Sequence, residues 1–258
     1  MDSRHKHTGM TKKAEMTEKR ECQSKHEHEH RRTKEALGVL KTRPRLILAD
    51  DHILVLHGLQ KILQDQCDIV GMVENGRSLL KVAQEHHPDI VVVDISMPEL
   101  NGLDAARQLR QLLPACKIIF LTMHADPVYA REAFQAGGSA FLLKQSAASE
   151  LMLAIHAVLK DQFYVTPVIA KDMLVPLCAK PKHESEGEAD QHRLLTMRQR
   201  EVLQLVAEGK AVKEIANILN LSGKTVEFHK TQIMRQLNVH STAELTHYAV
   251  SHGIVSLE

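Results

Sequence analysis

The stretch Ile90-Val91-Val92-Val93-Asp94-Ile95-Ser96-Met97-Pro98 decides the fold. An unbroken β-branched run has no polar face to turn toward water. It reads as a strand buried on both sides, as strands are in parallel sheets covered by helices. The run stops at a carboxylate, and open α/β sheets bind ligands at the carboxyl edge of their strands. Three further runs end in the same manner. Leu46-Ile47-Leu48-Ala49 meets Asp50-Asp51, Ile118-Ile119-Phe120-Leu121 meets Thr122, and Ala140-Phe141-Leu142-Leu143 meets Lys144. Acid pair, acid, hydroxyl and amine at successive strand ends describe one site.

Between these runs the apolar residues recur at helical spacing. Val55, Leu56, Leu59 and Leu63 mark a first helix, Leu79, Leu80 and Ala83 a second, and Leu103, Ala106 and Leu109 a third. A fourth runs from Val128 to Ala136, stopped by Gly137-Gly138, and a fifth spans 150–160. Residues 69–73 form the remaining short strand. Five βα units in series predict a doubly wound, flavodoxin-like, five-stranded parallel sheet over 45–165.

Three carboxylates at one point require a cation, and hard oxygen ligands suit Mg²⁺. Lys144 adds a positive charge and Thr122 a donor for a phosphoryl oxygen. A carboxylate nucleophile with these neighbours is what an aspartyl-phosphate needs. Taken singly, each residue has a plainer reading: Asp94 as a turn or helix-capping residue, Lys144 as a solvated lysine, Phe141 as core. Their shared order along the strand ends favours the site.

The set Asp50-Asp51, Asp94 with Met97-Pro98 and Gly102, Thr122, and Lys144 with Phe141 resembles the receiver domain of two-component response regulators. The resemblance implies that Asp94 accepts a phosphoryl group from a sensor histidine kinase. It implies that Asp50 and Asp51, with Asp94, hold Mg²⁺, and that Thr122 and Lys144 contact the phosphoryl group. Phe141 matches the aromatic position that switches rotamer when Thr122 moves. Ser96 and His124 fall at positions that tune the lifetime of the phosphoryl group.

The remainder of the 258 residues divides by composition. Residues 1–44 are basic, carrying 12 Lys and Arg against 7 Asp and Glu, and poor in apolar side chains, a composition that favours a disordered tail. Its Lys25-His26-Glu27-His28-Glu29-His30 run, with His5 and His7 upstream, leaves transition-metal binding open. A start at Met10 or Met16 is equally open. Residues 166–192 read as a linker, broken by Pro176 and Pro181 and acidic toward its end. Cys22, Cys67, Cys116 and Cys178 show no paired spacing, which fits a reducing cytoplasm. No apolar run approaches a membrane span.

Residues 193–258 predict an all-α domain of four helices. Thr196 is placed to cap the first, Gln199 to close a capping box, and Gly209 to end it. Residues 213–219, 225–237 and 243–252 carry the other three, with Leu221-Ser222-Gly223-Lys224 as a turn. Two short helices joined by such a turn read as helix-turn-helix, whose second helix enters the major groove. Thr196, Arg200-Glu201-Val202-Leu203, Ala207-Glu208-Gly209, Lys213-Glu214-Ile215-Ala216, Leu221-Ser222, Thr225-Val226, His229 and Leu237 resemble the LuxR-type DNA-binding domain. With the receiver, the resemblance is to NarL/FixJ response regulators. It implies DNA contacts from Lys224, Thr225, Glu227, Phe228, Lys230 and Thr231. Lys230 would meet a phosphate or guanine, and Glu227 a cytosine amine.

The chain thus reads as a cytoplasmic, phosphorylation-controlled transcription regulator rather than an enzyme. Its partners would be a histidine kinase, double-stranded promoter DNA and, when active, a second copy of itself, with no membrane. Two rivals differ in class. A phosphatase using Asp94 as nucleophile would turn over small phosphate esters, though no general acid stands beyond Asp94. A phosphorylation-independent binding or metal-sensing module would bind DNA equally well after Asp94→Ala.

Overall fold

The computed structural model describes residues 43–178 and 195–255. The tail with its His-acid run and the acidic part of the linker lie outside them. Among the described residues the strands are β1 (Arg45–Ala49), β2 (Asp68–Val73), β3 (Ile90–Val93), β4 (Lys117–Thr122), β5 (Ala140–Leu143) and β6 (Tyr164–Val165). All pair in parallel, in the order β2-β1-β3-β4-β5-β6. The order reverses direction between β1 and β3, the crevice where such sheets bind ligands. Asp50 and Asp94 stand at the carboxyl ends of these two strands.

The helices of this region are α1 (Ile53–Leu63), α2 (Gly76–His86), α3 (Gly102–Leu112), α4 (Pro127–Gln135), α5 (Ala147–Val158) and α6 (Pro167–Cys178). Strand side chains alternate between two cores. Ile47, Val91, Val93, Ile118, Phe120 and Phe141 pack with Leu79, Leu109 and Ala133 of α2, α3 and α4. Leu46, Leu48, Val92, Ile119, Leu121 and Leu142 pack with Leu59 of α1 and Leu151 and Ile155 of α5. Every residue of β3 is buried, which is why its sequence has no polar alternation.

The sheet has six strands where five were expected. After α5, Asp161 turns the chain in the left-handed region (φ 58°), and Tyr164 and Val165 pair with Ala140 and Phe141. Two residues are too few to produce a strand period. Residues 167–178, inside the expected linker, form helix α6. Pro167 takes its first position, where a missing N–H is tolerated. Ile169 is fully buried in the core that holds Phe141, which gives the helix a packing partner.

The C-terminal helices are α7 (Met197–Ala207), α8 (Val212–Leu219), α9 (Gly223–Gln236) and α10 (Thr242–Ser251), around Val202, Leu205, Ile215, Leu219, Val226, Ile233, Leu245 and Ala249. The Thr196–Gln199 capping box is present, and Gly209 adopts φ 76°. The turn before α9 is shorter than expected. The Ser222 side chain accepts from the Thr225 N–H, so Gly223 and Lys224 already belong to the helix. No described helix is long and apolar enough to cross a membrane.

Candidate functional site

The sheet itself fixes the acids. The backbone N–H of Asp50 donates to Val73 O at 3.0 Å and that of Asp94 to Ala49 O at 2.9 Å, so strand pairing runs up to both carboxylates. Asp50 and Asp94 are 2% and 4% exposed, and Asp51 lies partly open at the rim. Asp94 Oδ1 accepts the Ile95 N–H at 2.7 Å, which points the other carboxylate oxygen elsewhere. Lys144 Nζ lies 2.9 Å from Asp94 Oδ2 and 2.7 Å from Asp50 Oδ2, bridging the two strand ends.

Burial pushes the Asp94 carboxyl above its ordinary range, with Lys144 opposing and Asp50 and Asp51 adding to the rise. For Lys144 burial acts downward, but the Asp94 carboxylate and the hydrogen bonds to both acids outweigh it, and the ammonium ends above its usual value. Three carboxylates face one amine, leaving an uncompensated negative charge. One ligand atom from each of Asp50, Asp51, His52 and Asp94 lies within 4.8 Å of the others. This oxygen-rich pocket is compatible with Mg²⁺. His52 stands at its edge with Nδ1 2.9 Å from Asp51 Oδ1; that carboxylate raises the imidazole's pKa.

Thr122 is fully buried at the end of β4, its hydroxyl accepting the His124 N–H at 3.2 Å. Ser96 Oγ lies 2.9 Å from His124 Nε2, joining the two residues that stand two positions beyond Asp94 and Thr122. Phe141 is fully buried beside Phe120 in the α2–α4 core. Gly102 allows the start of α3 to close onto β3. Any side chain there would overlap the Asp94 carbonyl oxygen and lie 2.9 Å from its carbon.

On α9, Lys224, Glu227, Phe228 and Thr231 are exposed along one face at helical spacing, while Thr225 and Lys230 are half-buried beside it. Phe228 is 60% exposed, so it does not belong to the core. The Thr231 hydroxyl donates back to Glu227 O at 2.9 Å, and Thr225 shares a 2.8 Å bond with the capping Ser222.

The sequence reading misses a second constellation. The two domains lie in one compact unit, Arg43–Glu258, and α7 docks on the loop that follows Asp94. Buried Gln204 donates to Met97 O at 2.9 Å and accepts the Asn101 N–H at 2.8 Å. Glu208 accepts the Glu99 N–H at 3.0 Å. Glu201 meets Gln108 at 2.9 Å and Arg77 at 3.3 Å, and Arg200 Nε sits 2.9 Å from Asp104 Oδ1, paired without hydrogen-bond alignment. A glutamine one position off an apolar stripe carries no signal of its own. Its burial appears only when the loop packs on it.

The response regulator receiver domain matches residues 46–156, and the luxR family of bacterial regulatory proteins matches residues 193–249. The chain is 34% identical over 215 residues to the response regulator UvrY of Escherichia coli K12, covering 83% of this chain and 96% of the relative. It is 33% identical over 214 residues to the oxygen regulatory protein NreC of Staphylococcus carnosus, covering 82% and 99%. Among solved structures, RcsB of Salmonella enterica serovar Typhimurium, bound to promoter P1flhDC with the phosphomimetic BeF₃⁻, superposes with a TM-score of 0.54 at 29% identity, over 81% of this chain and all of that one. With the acid pocket at the sheet's switch point and the exposed recognition helix, these matches place the chain in the NarL/FixJ family of DNA-binding two-component response regulators, transcription regulators rather than enzymes.

Proposed function

We propose that in the cytoplasm Asp94 accepts a phosphoryl group from a sensor histidine kinase, and that this acylphosphate controls pairing of the C-terminal domains on promoter DNA. The observation that carries the reading is the buried bridge of Lys144 between Asp50 and Asp94, with Thr122 on the neighbouring strand end. An Asp94 carboxylate oxygen attacks phosphorus in line. The P–N bond to the kinase imidazole breaks, and the leaving imidazole takes up a proton. Lys144 and the Thr122 hydroxyl stabilise the charge on the transferred oxygens. Asp50, Asp51 and Asp94 would hold Mg²⁺, which supplies charge neutralisation when bound.

Thr122 is then drawn toward the phosphoryl group, Phe141 follows, and the equilibrium between two pre-existing states shifts. DNA is met by Lys224, Thr225, Glu227, Phe228, Lys230 and Thr231. A dimer built on α10 would engage two half-sites about one helical turn apart.

Intact mass after incubation with Mg²⁺ and acetyl phosphate tests the acceptor. One phosphoryl adduct is expected on the wild type and none on Asp94→Ala. An adduct on both variants, or none on folded wild type, overturns the assignment. For the DNA face, Lys230→Ala should accept the phosphoryl group normally but bind a random-sequence duplex more weakly. The slope of log K against log salt should fall by about 0.9 if the contact is to phosphate. Unchanged affinity and slope remove Lys230 from the interface.

A further inference from the structure

We infer that Tyr129 couples the Asp94 site to the C-terminal end of α10, an inference that rests on the reading above. The path is continuous. Ser96, two residues beyond Asp94, is joined to the His124 ring at 2.9 Å, and the backbone of His124 is held by the Thr122 hydroxyl at 3.2 Å. His124 therefore touches a residue from each side of the phosphoryl site. Its ring stacks on Tyr129, with centroids 4.6 Å apart and planes 25° from parallel.

Tyr129 lies in the first turn of α4, its N–H donating to Asp126 O at 3.1 Å. Its far edge meets the DNA-binding domain at Gly253. A Cβ built there would overlap the tyrosine, 2.5 Å from Cε1 and 2.7 Å from Cζ. Gly253 also sits at φ 65°, so both its backbone and its lack of a side chain are required. It is anchored where it stands. Its N–H donates to Val250 O at 3.1 Å, and the N–H of the following residue, buried Ile254, donates to Ala249 O at 2.8 Å. A movement of Tyr129 is thus delivered to the end of α10 and the core beneath it.

Phosphorylation acts on this path at its origin. Thr122 moving toward the phosphoryl group pulls on the His124 N–H, and the new oxygens compete for the Ser96 hydroxyl. Loss of the Ser96–His124 bond loosens the stack, withdraws Tyr129 from Gly253 and frees α10. The hydrogen bonds described above hold α7 and its cap to the receiver, α10 meets it through Gly253 and through His252 near Glu132, and the α9 face of Lys224, Glu227, Phe228 and Thr231 is exposed. The device therefore governs the helix that pairs two copies and leaves the recognition face uncovered.

Hydrogen–deuterium exchange over residues 242–255 of the full chain, with phosphoryl occupancy read by intact mass, tests this. Exchange in wild type should quicken at least about fivefold on adduct formation, the low end of ordinary coupling. Tyr129→Ala should take the adduct normally yet exchange fast without it. Gly253→Ala should do the same from the other side, and Tyr129→Phe, which keeps the stacked ring, should behave as wild type. Tyr129→Ala that exchanges slowly before phosphorylation overturns the inference, as does a wild type that takes the adduct with no change over 242–255. No adduct on wild type removes the Asp94 reading and the relay together, so the two failures are distinguishable.

Discussion

Lys144→Met should slow adduct formation at Asp94 by about 100-fold or more, the usual consequence of removing one preorganised charge from a phosphoryl or oxyanion site. It should also destabilise the receiver by about 3 kcal/mol, because it leaves two buried carboxylates without their cation. The stability loss has a defined pH dependence. Burial already holds the Asp94 carboxyl above its ordinary range, and Lys144 is what restrains it. A carboxyl whose folded pKa exceeds its unfolded one favours the fold below the unfolded value and loses that contribution as pH rises through the folded value. The deficit is therefore small below about pH 4, where carboxyls are protonated in both states, and grows as pH rises through the raised value. Urea melts across that range measure it directly. Added Mg²⁺ should recover part of the loss, since a ligand held only by the folded state stabilises it by mass action. A variant that melts like wild type throughout and takes the adduct at the normal rate would remove Lys144 from the site.

Gly102→Ala should destabilise the receiver by roughly 3 kcal/mol or more, in the upper range for single substitutions. Here the obstacle is backbone: the new methyl meets the Asp94 carbonyl group and sits 3.1 Å from Ile95 Cα. Neither can move without lifting α3 from β3, and the Gly102 N–H would give up its 2.8 Å bond to Ile95 O. The same shift displaces Asn101 and Met97, so the grip of Gln204 on the loop should fail with it. Gly58→Ala is the matched control. Gly58 lies on the exposed face of α1 with nothing within 4 Å of the added carbon, so the change should stabilise by about 0.5–1 kcal/mol. Thermal melts of the two variants with opposite signs would establish the close approach. Equal, small effects would contradict it.

Much of this was legible in residues 45–165 because strand burial and strand-end chemistry are written locally. A fully buried strand must be apolar at every position, so Ile90-Val91-Val92-Val93 announces its surroundings, and the side chain after its last residue lands at the sheet's edge. The same logic placed Asp50, Thr122 and Lys144. The capping box at Thr196 and Gln199 was readable for the same reason, since it depends on neighbours within a few residues. β6 escaped notice because two residues carry no period. α6 escaped because its stability comes from Ile169 reaching a core built elsewhere, against the discouragement of two prolines.

By itself the sequence determined the parallel sheet, the acid pocket at its switch point and the four-helix DNA-binding domain, because each is specified by short-range pattern and by the geometry that alternating strands and helices impose. Only the tertiary structure decided which long-range partners meet. Gln204 lies more than a hundred residues from Met97 and Asn101, and Gly253 lies as far from Tyr129. A buried amide and a glycine are each compatible with many surroundings. What they touch is fixed by how two separately folded cores pack, and no local pattern records that.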